Sequence, residues 1–150
     1  MPPVLVAPLW IERWAAGAQR IGAEGADIVT GTCGAVDPSL RAGDVVVATE
    51  VRYGDRTRPA DASIADKLEG FRVRKGPIAT VDRIAGPRER AALGDVLAVD
   101  MESFWVGDAA VVRVVVDEAG RRLLHPRTLV AGVRALRTLR RVGRALSSVA

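Results

Sequence analysis

Three acidic residues lie inside the most apolar stretch of the sequence, which covers residues 97–120: Asp100, Glu102 and Asp117. An ionised carboxylate is costly to bury unless it is paired, hydrogen-bonded or neutralised, so this placement needs a reason. One reason is sugar chemistry, because a carboxylate accepts hydrogen bonds from neighbouring hydroxyls and stabilises a cationic sugar. The structural alternative for Glu102 and Asp117 is an ion pair at a strand end, with Arg113 as the obvious partner. Asp100 is expected to face away from such a site or to cap the following helix.

Short apolar segments bounded by turns must position these carboxylates. They predict strands at Val4–Ala7, Ile28–Thr30, Val45–Val51, within 76–86, within 96–100 and at Ala110–Asp117. Helices are predicted at 8–22, at 87–95 with Pro87 in the first turn, at 101–109 and at Pro126–Ser147. Residues 52–76 predict a surface excursion with one short helix. Alternating strands and helices without a linker or repeat indicate the α/β class in one domain, residues 1–150.

The composition of the 150-residue chain suits one domain with its own core, since 49% of the residues are hydrophobic. The sequence has no apolar run of the roughly 20 residues that span a bilayer, and its start lacks a secretory signal pattern. We therefore expect a cytoplasmic protein. The single cysteine, Cys33, and the single histidine, His125, exclude a disulfide framework and a Cys/His zinc cluster. We expect neither a metal nor a cofactor.

The closing helix carries an apolar stripe and a basic one. The apolar stripe comprises Leu129, Val133, Leu136, Leu139, Gly143 and Leu146. The basic stripe comprises Arg134, Arg137, Arg141 and Arg144. It indicates either a contact with nucleic acid or an anionic membrane, or a solvated face whose late cations suit the helix dipole. Because no aromatic residue is interleaved for base stacking, the solvated face is favoured and a nucleic-acid partner is not expected.

Three motifs resemble the nucleoside phosphorylase and nucleosidase superfamily. The stretch "TGTCGAVDPSLRAGDVVVATEV" (Thr30–Val51) is similar to its Gly-rich strand-turn element and following strand. The stretch "AVDMES" (Ala98–Ser103) resembles its ribose-binding Met-Glu motif, and "VVRVVVDEAG" (Val111–Gly120) resembles its strand that ends in a catalytic Asp. In the family's order, these motifs extend over about 90 of the 150 residues. The sequences of these motifs most resemble those of hopanoid-associated phosphorylases, which act on adenosylhopane, and next those of methylthioadenosine/S-adenosylhomocysteine nucleosidases.

The sequence also departs from the family pattern. Val116 stands where the family usually has a small Ser before the catalytic Asp. Members commonly carry a further βα unit between the first strand and the Gly-rich strand, where this sequence has only "GAQRIGAEGA". Trp105 is bulkier than the residues expected to face a ligand. The chain therefore resembles a family member abbreviated in its N-terminal half.

The resemblance implies a three-layer α/β/α sandwich with a mixed central sheet. It also implies an enzyme that cleaves the N-ribosidic bond of an adenosine-type nucleoside through an oxocarbenium-like transition state. Glu102 would bind the ribose hydroxyls beside Met101, which would form an apolar wall under the sugar. Asp117 would be the general acid, kept protonated by desolvation at the strand end. Glu12 occupies, in outline, the place of the glutamate that positions water.

Further assignments depend on the same resemblance. The small residues Gly31, Cys33 and Gly34 would let the backbone approach the ligand. Cys33 is expected to be a buried filler rather than a nucleophile. Phosphate is possible as a co-substrate in place of water, and the spacing does not decide whether Arg41, Arg52 or Arg113 would bind it. The resemblance also implies a homo-oligomer.

Two other classes of function stay open. In the first, the chain is a non-catalytic relative that serves as a binding or assembly subunit, which its shortened N-terminal half favours. In the second, ranked last, it is a basic nucleic-acid-binding protein, which its net charge of +4 and its arginine-rich helix suggest.

Overall fold

The computed structural model describes residues 5–6, 27–120 and 126–148. The strands of these residues are β1 (Leu5–Val6), β2 (Ile28–Ala35), β3 (Val45–Tyr53), β4 (Arg56–Pro59), β5 (Val73–Thr80), β6 (Ala98–Asp100) and β7 (Ala110–Asp117). The α-helices are α1 (Pro87–Ala91) and α2 (Pro126–Ser147). Short 3-10 turns form at Ser63–Lys67 and Ser103–Trp105. The helix predicted at 8–22 lies outside the described residues.

The strands belong to one mixed sheet. β2 pairs in parallel with β1 and β7 and antiparallel with β6, while β6 pairs in parallel with β5. β3 pairs in parallel with β5 and antiparallel with β7 and β4. Strands β2, β6, β5, β3 and β7 therefore form a closed ring, and β1 and β4 extend it outward. The predicted α/β class with a mixed sheet is confirmed.

Strand β7 is covered on both faces, as its continuous apolar run predicts. Val112 and Val114 belong to a core cluster shared with α2. Val111 and Val115 belong to a second cluster between the strands of the ring. Alternate residues of one strand thus bury two opposite faces, and Arg113 shares the face that points into the ring.

Helix α2 has the bounds that the sequence predicts, but the centre of its buried face is different. Ala135, Leu139, Val142 and Leu146 are fully buried against the sheet. Val133, which was predicted to lie in the apolar stripe, is 49% exposed. The buried face therefore keeps Leu139 and Leu146 of the predicted stripe but is rotated toward Ala135 and Val142 and away from Val133, because the period of 3.6 residues per turn brings these four buried positions to one side. Of the helices in the described residues, none is both long and apolar enough to cross a membrane.

Two local predictions were wrong. Residues 52–76 contain the edge strand β4 and the start of β5, rather than only a surface excursion. In place of a helix at 101–109, the chain makes one 3-10 turn, which Gly107 follows with a φ of 66°. A residue with positive φ cannot continue a right-handed helix, so the turn ends before it.

Candidate active site

A cavity of about 350 Å³ opens where the ends of several strands meet. Its walls come from residues 32–34 of β2, 99–102 at the end of β6, and Val116 and Asp117 of β7, together with Val81, Arg83, Ile84, Ala85 and Arg90. Pockets of this size and largely apolar lining are typical of small-molecule sites. The carboxylates of the apolar stretch therefore lie at a site that can hold a ligand.

A bulge places the end of β7 against this cavity. The register with β2 runs from Cys33 opposite Val115 directly to Gly34 opposite Asp117, so that Val116 is an extra residue on β7. A bulge bends its strand and redirects the neighbouring side chains. As a result, both Val116 and Asp117 line the cavity.

Asp117 forms a buried ion pair with Arg90. Arg90 Nη2 lies 3.1 Å from Asp117 Oδ2, and the two side chains are 3% and 9% exposed. Arg90 Nη1 also donates a hydrogen bond to the carbonyl of Ala35, at 3.3 Å. A Cβ atom on Gly34 would lie 3.1 Å from Arg90 Nη1, so the glycine makes room for the guanidinium. The cation that pairs with Asp117 is therefore Arg90 and not Arg113, which the sequence offers as the ion-pair partner.

Arg113 lies beneath the site, within the ring of strands. It is fully buried, and its Nε lies 2.9 Å from Asp100 Oδ2. Arg113 Nε and Nη2 donate hydrogen bonds to Ser103 Oγ at 3.2 and 3.0 Å, and Ser103 in turn donates its hydroxyl hydrogen to Asp100. Arg113 Nη2 also lies 3.4 Å from Glu102 Oε2. Arg113 does not line the cavity, so the expectation that it contacts substrate or phosphate is corrected: its guanidinium compensates Asp100 and reaches Glu102 from below.

The carboxylate of Asp100 forms hydrogen bonds both with the turn that follows β6 and with strand β5. Its Oδ1 accepts hydrogen bonds from the backbone N–H groups of Glu102 and Ser103, at 3.3 and 3.2 Å, so it holds the start of the 3-10 turn that forms in place of the predicted helix. The same atom accepts a hydrogen bond from Thr80 Oγ1 at 2.9 Å. The turn that carries Glu102 is therefore tied to both β5 and β7.

Glu102 and Asp117 share the cavity, and Met101 lines it beside them. The side chain of Glu102 is 35% exposed, and Met101 is 41% exposed. Both residues are therefore accessible to a ligand, whereas Asp100 borders the cavity with a side chain that is only 1% exposed and Arg113 does not line it. Trp105 lies outside this cavity and packs edge-on against Tyr53 and Phe104.

The remaining candidates from the sequence lie in different places. Cys33 and Gly34 line the cavity, but Gly31 is buried opposite Arg113 in the β2–β7 pairing and does not. Glu12 lies outside the described residues. Arg52 is paired with Glu50 and Asp95 at another edge of the sheet, and Arg41 lines a separate cleft.

Sequence reasoning missed Arg90, the cation of the cavity that faces Asp117. Arg90 stands on the five-residue helix α1, which the sequence predicts correctly from Pro87. Neither its spacing nor its neighbours distinguish it from the other arginines of the chain. Within the described residues, no group of three or more His, Cys, Asp or Glu side chains is placed to hold a metal ion.

Comparisons with known proteins identify the family and the fold. The model of the family described as "Phosphorylase superfamily" matches residues 25–133. The chain is similar to the 5'-methylthioadenosine/S-adenosyl homocysteine nucleosidase of Campylobacter jejuni, with a TM-score of 0.72 and 15% identity over 99% of this chain and 100% of that one. It is also similar to a futalosine hydrolase mutant of Helicobacter pylori, with a TM-score of 0.72 and 12% identity over 95% and 96% of the two chains.

A third similar structure is the 5'-methylthioadenosine/S-adenosylhomocysteine nucleosidase of S. pneumoniae with a transition-state inhibitor. Its TM-score is 0.70 at 18% identity, over 97% of this chain and 98% of that one. At these identities the likeness shows a common fold. Among curated proteins, none matches this sequence.

Proposed function

The chain belongs to the Phosphorylase superfamily, and we propose that its cavity is the site at which it cleaves the N-ribosidic bond of an adenosine-type nucleoside. The family and the nucleosidase folds similar to it support an enzyme of the nucleosidase or phosphorylase class. The observation that carries the proposal is the presence of Glu102 and Asp117 in one cavity of about 350 Å³. One carboxylate can act on the sugar and the other on the base.

Glu102 is the residue proposed to bind the ribose. Its carboxylate can accept hydrogen bonds from two neighbouring hydroxyls and lies where it can stabilise the developing positive charge of the sugar. Arg113, 3.4 Å from Oε2, holds this carboxylate from the buried side. Met101 supplies the apolar surface beside the sugar.

Asp117 is proposed to protonate the departing base. In this proposal the Asp117 carboxyl group gives its proton to the departing base, the resulting carboxylate pairs with Arg90, 3.1 Å away, and a proton from solvent restores the acid before the next turnover. Arg90 also fixes the direction in which the carboxyl group points. Among the described residues, two arginines line the cavity and each lies near a carboxylate, Arg90 near Asp117 and Arg83 near Glu89. This supports water rather than phosphate as the nucleophile.

Product analysis tests the reaction. The chain would be incubated with adenosine or methylthioadenosine, with and without phosphate, and the free purine and the sugar product would be separated by chromatography. We expect purine together with free ribose or its methylthio derivative, at a rate that phosphate does not raise. A ribose 1-phosphate product would instead establish phosphorolysis.

A matched pair of variants assigns the reaction to the cavity. Glu102→Gln is expected to lower the rate of purine release by at least about 100-fold, as loss of a transition-state contact does. Glu69→Gln changes an exposed glutamate outside the cavity and should keep the wild-type rate. If the folded wild-type chain releases no purine from either nucleoside, the non-catalytic alternative is correct and the proposal is wrong.

A further inference from the structure

The outer face of α2 carries five exposed arginines: Arg134, Arg137, Arg140, Arg141 and Arg144. We call this surface the arginine face. The sequence of α2 contains no Asp or Glu, and no carboxylate in the described parts of the chain forms an ion pair with the arginine face. Arginines elsewhere in the fold, such as Arg52 and Arg74, do have acidic partners. Within the described residues, the arginine face is therefore a group of five neighbouring guanidinium groups without a carboxylate partner, one of which, Arg141, lies over the Phe71 ring.

The spacing of the arginine face brings like charges together. Arg137 and Arg141, and likewise Arg140 and Arg144, are four residues apart and are neighbours on the helix surface. Like charges at this spacing repel each other and destabilise a helix. Packing of Leu139 against the sheet, on the opposite face of α2, offsets this repulsion. An anionic surface beside the arginine face would reduce the repulsion further.

A cleft of about 430 Å³ borders the arginine face. Arg134 and Arg141 form its helical wall, and Arg41 and Arg72 lie across from them. Asp44 partly balances this charge, since its carboxylate accepts the backbone N–H of Arg41 at 2.8 Å and lies 3.4 Å from Arg72 Nε. The lining contains four guanidinium groups and two carboxylates, so its net charge suits a phosphate group.

We propose that the arginine face docks the protein on a bilayer that contains anionic phospholipids, with a headgroup phosphate in the bordering cleft. Clusters of four to eight basic residues on a helix bind such membranes by electrostatic attraction. Val130 and Val133, which are 66% and 49% exposed, lie on the same side of α2 and supply apolar contact between headgroups. Residues 126–148 contain no aromatic side chain, and the ring of Phe71 in the bordering cleft is already covered by the Arg141 guanidinium, 5.0 Å from its centroid. Since stacking on aromatic rings is what nucleic-acid bases need, lipid suits this surface better than nucleic acid does.

Vesicle sedimentation with the full chain tests the proposal. The wild-type protein is expected to sediment with vesicles of phosphatidylglycerol and phosphatidylcholine, and to stay in the supernatant with vesicles of phosphatidylcholine alone. Each basic residue near an anionic surface contributes about fivefold to partitioning, so loss of two charges lowers it about 25-fold. Arg137→Glu/Arg144→Glu should therefore reduce sedimentation by at least that factor.

The control variant is Lys75→Glu/Arg88→Glu, which makes the same change in net charge at two exposed residues outside α2. It should still sediment with the anionic vesicles. Circular dichroism of each variant checks that α2 stays folded. Absence of wild-type sedimentation, or an equal loss in both double variants, overturns the proposal.

Two further arms distinguish other occupants of the arginine face. A duplex DNA added at the same phosphate concentration should not displace the protein from anionic vesicles, and complete displacement would identify a nucleic-acid surface instead. Sedimentation velocity without lipid should give the same oligomeric state for the wild type and for Arg137→Glu/Arg144→Glu. An oligomer that only the wild type forms would identify this face as a contact between copies of the chain, against the proposal.

Discussion

Replacing Arg113 by methionine removes the guanidinium that compensates Asp100 within the ring of strands. The side chains of Arg113 and Asp100 are 0% and 1% exposed, and the pair is separated by 2.9 Å. Leaving a buried charge without its partner costs about 3–5 kcal/mol. For a domain of this size, each kcal/mol corresponds to about 2–4 °C in Tm, so Arg113→Met should lower Tm by about 6–20 °C.

Urea unfolding followed by tryptophan fluorescence measures this loss. The control is Arg74→Met, because Arg74 lies 3.4 Å from Asp37 but its side chain is 47% exposed. An exposed ion pair contributes about 0–1 kcal/mol, so the control should change the free energy of unfolding by no more than that. An Arg113→Met variant as stable as the control would refute the view that Arg113 stabilises the fold by compensating a buried carboxylate.

The double variant Asp100→Asn/Arg113→Met separates charge compensation from simple loss of packing. Asparagine keeps an oxygen that can accept the backbone N–H groups of Glu102 and Ser103, while both charges are gone. The double variant should therefore be more stable than Arg113→Met alone. A loss equal to the sum of the two single losses would contradict this explanation.

Two more predictions concern α2 and the cavity wall. Leu139→Ala should lower the free energy of unfolding in urea by about 2–5 kcal/mol, because Leu139 is fully buried. Val133→Ala, at a half-exposed position, should change it by less than about 0.5 kcal/mol. Similar losses in the two variants would contradict the packing described for α2. Cys33 is the only cysteine of the sequence, and it lines the cavity. A non-cleavable nucleoside analogue at saturating concentration should therefore slow the alkylation of Cys33, which mass spectrometry measures. An unchanged rate of alkylation would contradict binding of the analogue in this cavity.

The elements with strong local signals were predictable from the sequence. The apolar run Ala110–Asp117 and the helix Pro126–Ser147 have the predicted bounds because hydrophobic pattern and helix length are properties of neighbouring residues. Closure of the ring was not predictable, since it depends on pairings between distant segments. Strand β6, which contributes to two of these pairings, has only three residues.

The site was predictable only where a motif spans it. Glu102 and Asp117 lie in segments whose sequences resemble motifs of the family, and in the structure both residues line one cavity. The partner of Asp117 was not predictable, because Arg90 comes from a short helix and reaches the cavity only through the fold. The sequence offers Arg113 as an ion-pair partner for Glu102 and Asp117, but its nearest partner is Asp100, which was expected to face away from the site or to cap the following helix.

Leaving-group dependence tests the central proposal most directly. Asp117→Asn should lower purine release from methylthioadenosine by about 100-fold to 10,000-fold, because the purine must be protonated as it departs. The same variant should cleave 4-nitrophenyl riboside within about tenfold of the wild-type rate, because nitrophenolate leaves without a general acid. Equal losses on both substrates, or full activity of Asp117→Asn on methylthioadenosine, would contradict the role proposed for this carboxyl group and for the cavity that contains it.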